Sequence, residues 1–220
     1  MAMQGNLTQI AEGDEDERPE LADSDELIVE QYADAELPTR YGKFRIVAFV
    51  NNRDDKDHVA IVNGDVAGEE DVLTRIHSEC LTGDVFGSLK CDCGEQLDRA
   101  LETIGEAERG ILLYMRQEGR GIGLAEKIKA YSLQDEGLDT VEANRHLGFD
   151  DDLRDYDIAA RMLDILGPES IELMTNNPTK VKDLLGAGID VKRRIPLKIL
   201  PNPHNVHYLE TKRRKSGHLL

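Results

Sequence analysis

The sequence predicts an α/β fold, a three-layer α/β/α sandwich around a mixed sheet with antiparallel strands at its start. Three observations lead there. Short β-branched runs open the main part of the chain. From residue 96 onward helical periodicity alternates with apolar strands. Between them lie turns rich in glycine, proline and asparagine. At 220 residues the chain can bury one good core.

The elements follow in order. Residues 1–36 carry twelve acids against one base, Arg18, whereas the remainder carries 32 acids and 26 bases. Most of the net charge of −17 therefore sits in a leader with few large apolar residues. Its first twenty or so residues are expected to be disordered, with a helix over 23–33 as an option. The expected boundary is 1–36 for this acidic extension and 37–220 for the main domain. Removing residues 1–30 is expected to leave the fold intact. Residues 43–50, 58–63 and 71–77 then read as strands, and their short links predict antiparallel neighbours. Residues 96–108 place Leu97, Leu101 and Ile104 at helical spacing. Residues 110–115 form a near-continuous apolar run, as in a strand buried on both faces. Helices are expected over 124–135 and 154–166, the second stopped by Gly167-Pro168. A strand over 170–175 leads to Asn177 as helix N-cap with Pro178 at the first helical position. That helix ends near Gly186, before a strand over 189–195.

The cysteine pattern carries the most chemistry. Cys80, Cys91 and Cys93 are the only cysteines, and they lie within fourteen residues. Structural zinc sites are usually closed by four side chains. A catalytic zinc keeps three and leaves a position for water. Thiolates also favour zinc over magnesium or calcium. A redox pair would show CxxC, and a disulfide framework would want an even count in a small secreted chain. Buried structural thiols are the remaining alternative, but Glu79, Asp84, Lys90, Asp92 and Glu95 make this a polar neighbourhood.

Two turns could hold phosphate. Glu118-Gly-Arg-Gly-Ile-Gly123 sits between a strand and a helix, yet Leu124 breaks GxGxxG and no Gly-Lys-Ser/Thr follows. It is either a ligand-binding turn in which Arg120 forks onto phosphate, or a tight turn with a solvated arginine. Thr175-Asn-Asn-Pro-Thr-Lys180 opens a helix, where N–H groups and the macrodipole favour an anion. Arg75 and His77 lie close to the cysteine loop. By local rules the acids of 150–155 merely complement a helix start, and Lys212-Arg-Arg-Lys215 is a solvated basic face. No apolar run is long enough to span a membrane, and no signal peptide is visible. The acidic balance argues against nucleic acid as partner.

Together these segments resemble GTP cyclohydrolase II. The resemblance covers residues 37–220. It rests on Arg75-Ile-His-Ser-Glu-Cys80-Leu-Thr-Gly-Asp84, Cys91-Asp-Cys93-Gly-Glu-Gln96, Arg116-Gln-Glu-Gly-Arg120-Gly-Ile-Gly123, Asp139-Thr-Val-Glu-Ala-Asn144, Leu147-Gly-Phe149, Asp152-Leu-Arg154-Asp155-Tyr156, Thr175-Asn-Asn-Pro178 and Lys212 through Gly217-His218. The resemblance implies zinc-dependent conversion of GTP to a diaminopyrimidine ribosyl phosphate, with release of formate and pyrophosphate, at the entry to riboflavin synthesis. It implies one zinc ion on Cys80, Cys91 and Cys93, and Mg2+ with the GTP phosphates. GTP would contact Arg75, Ile76, His77, Ser78, Glu79, Gln96, Glu118, Gly119, Arg120, Thr140, Thr175 and Lys180. Asp152 would be the proton acceptor, Arg154 the nucleophile, and Tyr131 a tyrosine near the ring-opening site. A cytoplasmic homodimer is expected. Thirty-six residues cannot hold the dihydroxybutanone phosphate synthase domain that precedes this one in many relatives, so a monofunctional chain is expected. A guanidinium is a poor nucleophile, and for Arg154 an electrostatic clamp is the simpler role. The alternative from another class is a regulatory homologue that keeps zinc and nucleotide sites without turnover. Leu124 weighs against a nicotinamide dehydrogenase.

Overall fold

Acid-rich residues can enter a sheet if they do so at its edge, and that is how the described chain begins. The computed structural model describes residues 19, 21–22 and 24–219. Strand β1 (Val29–Thr39) turns at Arg40-Tyr41 into β2 (Gly42–Asn51), with Thr39 opposite Gly42. Only Val29 of β1 is buried. Glu30, Asp34 and Glu36 face solvent on an edge strand, where charge discourages further pairing. Of the optional helix over 23–33, the described residues 24–28 are irregular and 29–33 belong to this strand, and the boundary expected after residue 36 falls inside it. The disorder expected of the first twenty residues lies almost wholly outside the described residues.

β3 (His58–Asn63) pairs antiparallel with β2, as expected. β4 (Val72–Ser78) does not join β3. It is followed by a single turn, α1 (Leu81–Asp84), and by α2 (Cys93–Glu106), which returns the chain to β5 (Gly110–Met115). β5 inserts between β3 and β4, antiparallel to the first and parallel to the second. The expectation of three antiparallel neighbours thus fails at the third strand, because the helical crossover through α2 brings β5 in beside β4 as its parallel neighbour and separates β4 from β3. The central place of β5 explains its apolar run.

α3 (Leu124–Asp135) and α4 (Thr140–His146) follow. α4 went unforeseen although Asp139 and Glu142 form a complete capping box. The helix expected over 154–166 starts later, as α5 (Asp157–Leu166), leaving 152–156 as an irregular segment. β6 (Ile171–Met174), α6 (Pro178–Gly186) and β7 (Val191–Ile195) complete the sheet, in the order β1-β2-β3-β5-β4-β6-β7. Asn177 caps α6 through Thr179 N–H with Pro178 in the first turn, as the sequence indicates. α7 (Val206–Lys215) ends the described helices.

Two cores occupy the two faces of the sheet. Val47, Phe49, Ile76, Ile111, Leu113 and Leu173 pack under α5 and α6. Phe44, Leu112 and Met174 pack under Ala100 and Ile104 of α2. The alternation of neighbours such as Leu112 and Leu113 is the strand period at work. The three layers are thereby observed. The chain leaves β4 towards α2 on one face, and leaves β6 towards α6 on the other. In open parallel sheets such divergence opens a crevice at the carboxyl ends of the strands.

Candidate functional site

The three cysteines converge in that crevice. Cys80 follows β4, while Cys91 and Cys93 enter α2. Their sulfurs all lie within 4.8 Å of one another, and Cys80 and Cys91 are 3.7 Å apart. Tetrahedral zinc–sulfur bonds of about 2.3 Å separate sulfurs by about 3.8 Å, so the donor set fits zinc. Close approach depends on two glycines. A Cβ on Gly83 would stand 2.8 Å from Cys91 Sγ and 3.2 Å from Cys80 Sγ, and one on Gly94 would meet Gly83 O at 2.4 Å. The Cys80 thiol lies below its usual range because the other two thiols donate to it, with Lys127 assisting. Their bonds to Cys80 push Cys91 up to about 11 and Cys93 well above an ordinary thiol. A bound cation would let the three thiolates coexist there.

Neighbouring side chains brace this loop. Asp84 accepts from Cys80 N–H (2.9 Å), from Tyr114 Oη (2.8 Å) and from His77 Nε2 (3.0 Å). His77 stacks on Tyr114, and burial holds its imidazole below the usual value. Glu118 accepts from Leu81 N–H (2.7 Å), from its neighbour Gly119 N–H (2.7 Å) and from Lys127 Nζ (2.7 Å). Lys127 also reaches Cys80 Sγ at 3.2 Å. Glu118, expected to touch the nucleotide, thus has its oxygens engaged in joining the glycine turn to the cysteine loop. Lys127 gave no signal in the sequence, because one lysine on a helix looks like any other.

The cleft beyond the thiols is open, about 1090 Å³ including its mouth. Of the residues expected to bind nucleotide, Arg75, His77, Ser78, Glu79, Gln96, Glu118, Gly119, Arg120, Thr140, Thr175 and Lys180 all line it, as do Tyr131 and Arg154. Ile76 does not. Strand alternation turns its side chain into the core beneath α5, and only its carbonyl takes part, accepting from Lys180 Nζ at 2.7 Å. Arg75 donates to Met174 O (2.9 Å) and Gln96 Oε1 (2.6 Å), while its buried Nε has no partner. Among the described residues no carboxylate lies within ion-pair distance of Arg75 or Lys180, and both are buried. Burial pushes Arg75 down to about 10 and Lys180 well below its ordinary value. Buried cations without counter-ions are costly, and an anionic ligand relieves that cost.

The N-terminus of α6 contributes less than its sequence suggested. Pro178 has no N–H, and those of Asn177 and Thr179 are taken by Thr175 Oγ1 and Asn177 Oδ1. The useful donor there is the Lys180 side chain. In the glycine turn, Gly119, Arg120 and Gly121 all have positive φ (65°, 62° and 95°), a conformation unfavourable for arginine. The turn is held to the 151–154 segment through Leu153 N–H to Arg120 O (3.1 Å) and Arg120 Nη1 to Asp151 O (3.1 Å).

Asp152 does not line the cleft but grips a residue that does. Its oxygens accept from Arg154 Nε (2.8 Å) and Nη2, and Arg154 Nη1 reaches Ser78 Oγ at 3.4 Å. Burial works against the Arg154 charge, but Tyr156 and Asp152 more than offset it, so the guanidinium stays protonated. Burial works against the Asp152 carboxylate too, and the Arg154 fork outweighs it, holding the pKa low. Tyr131 Oη lies 3.2 Å from Thr82 Oγ1, over the cysteine loop, with Lys90 and Lys127 facing its ring.

The chain is similar in sequence to known proteins. The family model described as GTP cyclohydrolase II matches residues 30–196. A protein named GTP cyclohydrolase-2 from Cronobacter sakazakii is 55% identical over 192 residues, covering 87% of this chain and 98% of that one. Its namesake from Teredinibacter turnerae is 53% identical over 194 residues, 88% and 98% of the two chains. The riboflavin biosynthesis protein RibBA of Endomicrobium trichonymphae is 53% identical over 195 residues, covering 89% of this chain and 48% of its own. The chain thus spans about half the length of the RibBA relatives and nearly all of the GTP cyclohydrolase-2 relatives. With a family match over most of its length and a thiol cluster beside an anion-seeking cleft, the chain belongs to the GTP cyclohydrolase II family.

Proposed function

We propose that the protein hydrolyses GTP to 2,5-diamino-6-hydroxy-4-(5-phosphoribosylamino)pyrimidine, with release of formate and pyrophosphate, at the start of riboflavin biosynthesis. One observation supports this most: Arg75 and Lys180 are buried cations without carboxylate partners, in a cleft that ends at three thiols fitting zinc. That pairs an anion-binding end with a metal end, as a purine nucleoside triphosphate requires.

Cys80, Cys91 and Cys93 would hold one zinc ion. When bound, zinc with an open position supplies a Lewis acid and activates water near neutral pH. The protein's part is to place the purine against that centre. Tyr131, fixed by Thr82, and Gln96, fixed by Arg75 and Asp92, stand beside the thiols as polar contacts for the base. Arg75, Arg120, Arg154 and Lys180 take the phosphates, with Ser78, Thr175 and Thr140 as hydroxyl partners. Mg2+ would enter as counter-ion of those phosphates.

Pyrophosphate loss leaves charge on the departing oxygens, and Arg154 is built to stabilise it. Its fork on Asp152 fixes the guanidinium plane and keeps it charged, which suits a clamp and opposes attack by a guanidine nitrogen. Asp152, outside the lining of the cleft, positions Arg154 through that fork, and we keep it as the proton acceptor of the proposal. Three free thiols suit the reducing cytoplasm, and among the described residues no helix is long and apolar enough to cross a membrane. We place the protein in the cytoplasm as a homodimer without nucleic-acid partners. Exposed Val85, Phe86 and Leu89 beside the cysteine loop offer a second copy an apolar surface, and light scattering tests that state.

The deciding experiment gives zinc-loaded protein GTP and Mg2+, then measures formate, pyrophosphate and the pyrimidine product. Stoichiometric release of all three is expected. Tight GTP binding with no formate would instead identify a regulatory homologue.

A further inference from the structure

The family match ends at residue 196, but the wall of the cleft continues. Tyr208 and Lys212 of α7, and His218 beyond it, line the same cavity as Arg75 and the cysteines. The basic run at 212–215 was expected to be a solvated face. Arg213, Arg214 and Lys215 are exposed, whereas Lys212 turns inward.

Apolar packing does little to hold this segment, since Leu209 is the one residue α7 buries. Polar contacts fasten it instead. Asn205 Nδ2 donates to Cys91 O (3.5 Å) and Lys212 Nζ to Asp92 Oδ1 (2.9 Å). Arg120 Nη1 donates to Ser216 Oγ (3.4 Å), and Leu219 N–H to Asn176 O (2.8 Å). Lys215 pairs with Asp139 and with Glu142 at the start of α4. These partners come from the cysteine loop, the glycine turn, α4 and the segment after β6. The arm is tied to each side of the cleft's rim.

Its inward groups remain available to a ligand. Lys212 uses one N–H on Asp92 and lies 4.4 Å from the Tyr208 ring centre, with further N–H groups to offer. Among the described residues the Tyr208 hydroxyl has no hydrogen-bond partner. His218 Nδ1 lies 3.2 Å from Ser216 O, so it carries the ring proton and leaves Nε2 as an acceptor. The cations around it, Lys212, Arg120 and Arg154, all donate. An acceptor in such company is matched to an O–H or N–H group, not to a phosphate oxygen.

We propose that this arm, α7 with residues 216–219, completes the substrate site, Lys212 and the Tyr208 hydroxyl meeting the phosphates and His218 Nε2 accepting from a hydroxyl or amino group of the nucleoside. The inference rests on the GTP reading and deepens it. The test is equilibrium binding of a GTP analogue with a non-hydrolysable α,β-methylene bridge to zinc-loaded, full-length protein. Tyr208→Phe and His218→Ala should each weaken binding about five- to tenfold, the effect of one hydrogen bond, with zinc content and melting temperature unchanged. Should His218→Ala also lower the melting temperature, His218→Gln decides, since it retains an acceptor. Recovered affinity supports the contact, and continued loss overturns it. Affinities within about twofold of wild type in both variants would make the arm mere packing and overturn the proposal. A wild-type protein that binds no analogue overturns the nucleotide reading itself, and this inference with it.

Discussion

Gly83→Ala should disable the metal site without removing any ligand. The new methyl carbon would stand 2.8 Å from Cys91 Sγ, 3.2 Å from Cys80 Sγ and 3.2 Å from Cys93 Cβ. Ordinary contact begins at about 3.5 Å, so Cys91 Sγ must retreat by about 0.7 Å. Zinc–ligand distances tolerate deviations of only about 0.2 Å. Retreat along the backbone is closed as well, because Gly94 already sits against the Gly83 carbonyl. The strain of overpacking is about 1–3 kcal/mol, and borne by the metal-bound state it lowers zinc affinity about five- to 150-fold. Competition with a chromophoric chelator measures this directly, and circular dichroism monitors the fold. Gly186→Ala is the control, since a Cβ there meets nothing within 4 Å. Wild-type zinc retention by Gly83→Ala would refute the claim that the three sulfurs converge around that glycine.

Three further expectations concern other parts of the molecule. Deleting residues 1–30 removes Val29 from the core and Leu27 from its edge. The loss should be about 3 kcal/mol and the melting temperature should fall by about 6–12 °C, where composition alone had suggested no effect; an unchanged melting curve would contradict the packing. Arg154→Lys keeps the charge but loses the fork on Asp152, so partial pyrophosphate release should survive. A nucleotidyl adduct on Arg154 of the wild-type enzyme, trapped by acid quench and found by mass spectrometry, would exclude the clamp. His218 is held neutral by burial and by Lys212, its pKa lowered from 6.5 to about 4. The unfolded chain therefore binds the proton first as pH falls, so stability declines from about pH 6.5 and the loss is complete below about 4. His218→Gln should lose less stability than wild type across that window in urea titrations, and parallel losses would disprove the assignment.

Much of this protein was legible as one-dimensional pattern. Helical spacing, the apolar run of β5, Asn177 with Pro178, and three cysteines in fourteen residues report local physics, and local physics survives in the folded chain. The site's residue types were legible for the same reason: thiolates, arginines and a glycine turn have few other uses in such company. What the tertiary structure decided was adjacency. The place of β5 between β3 and β4 depends on where α2 delivers the chain, and no residue of β4 encodes it. The pleat sent Ile76 into the core and its neighbours Arg75 and His77 towards the cleft, which a contiguous motif could not distinguish. Glu118, Lys127 and Lys212 acquired their partners across 37, 47 and 120 positions of sequence. The acids of β1 favoured an extension by composition, but pairing with β2 made them an edge strand, because half of such a strand belongs to water.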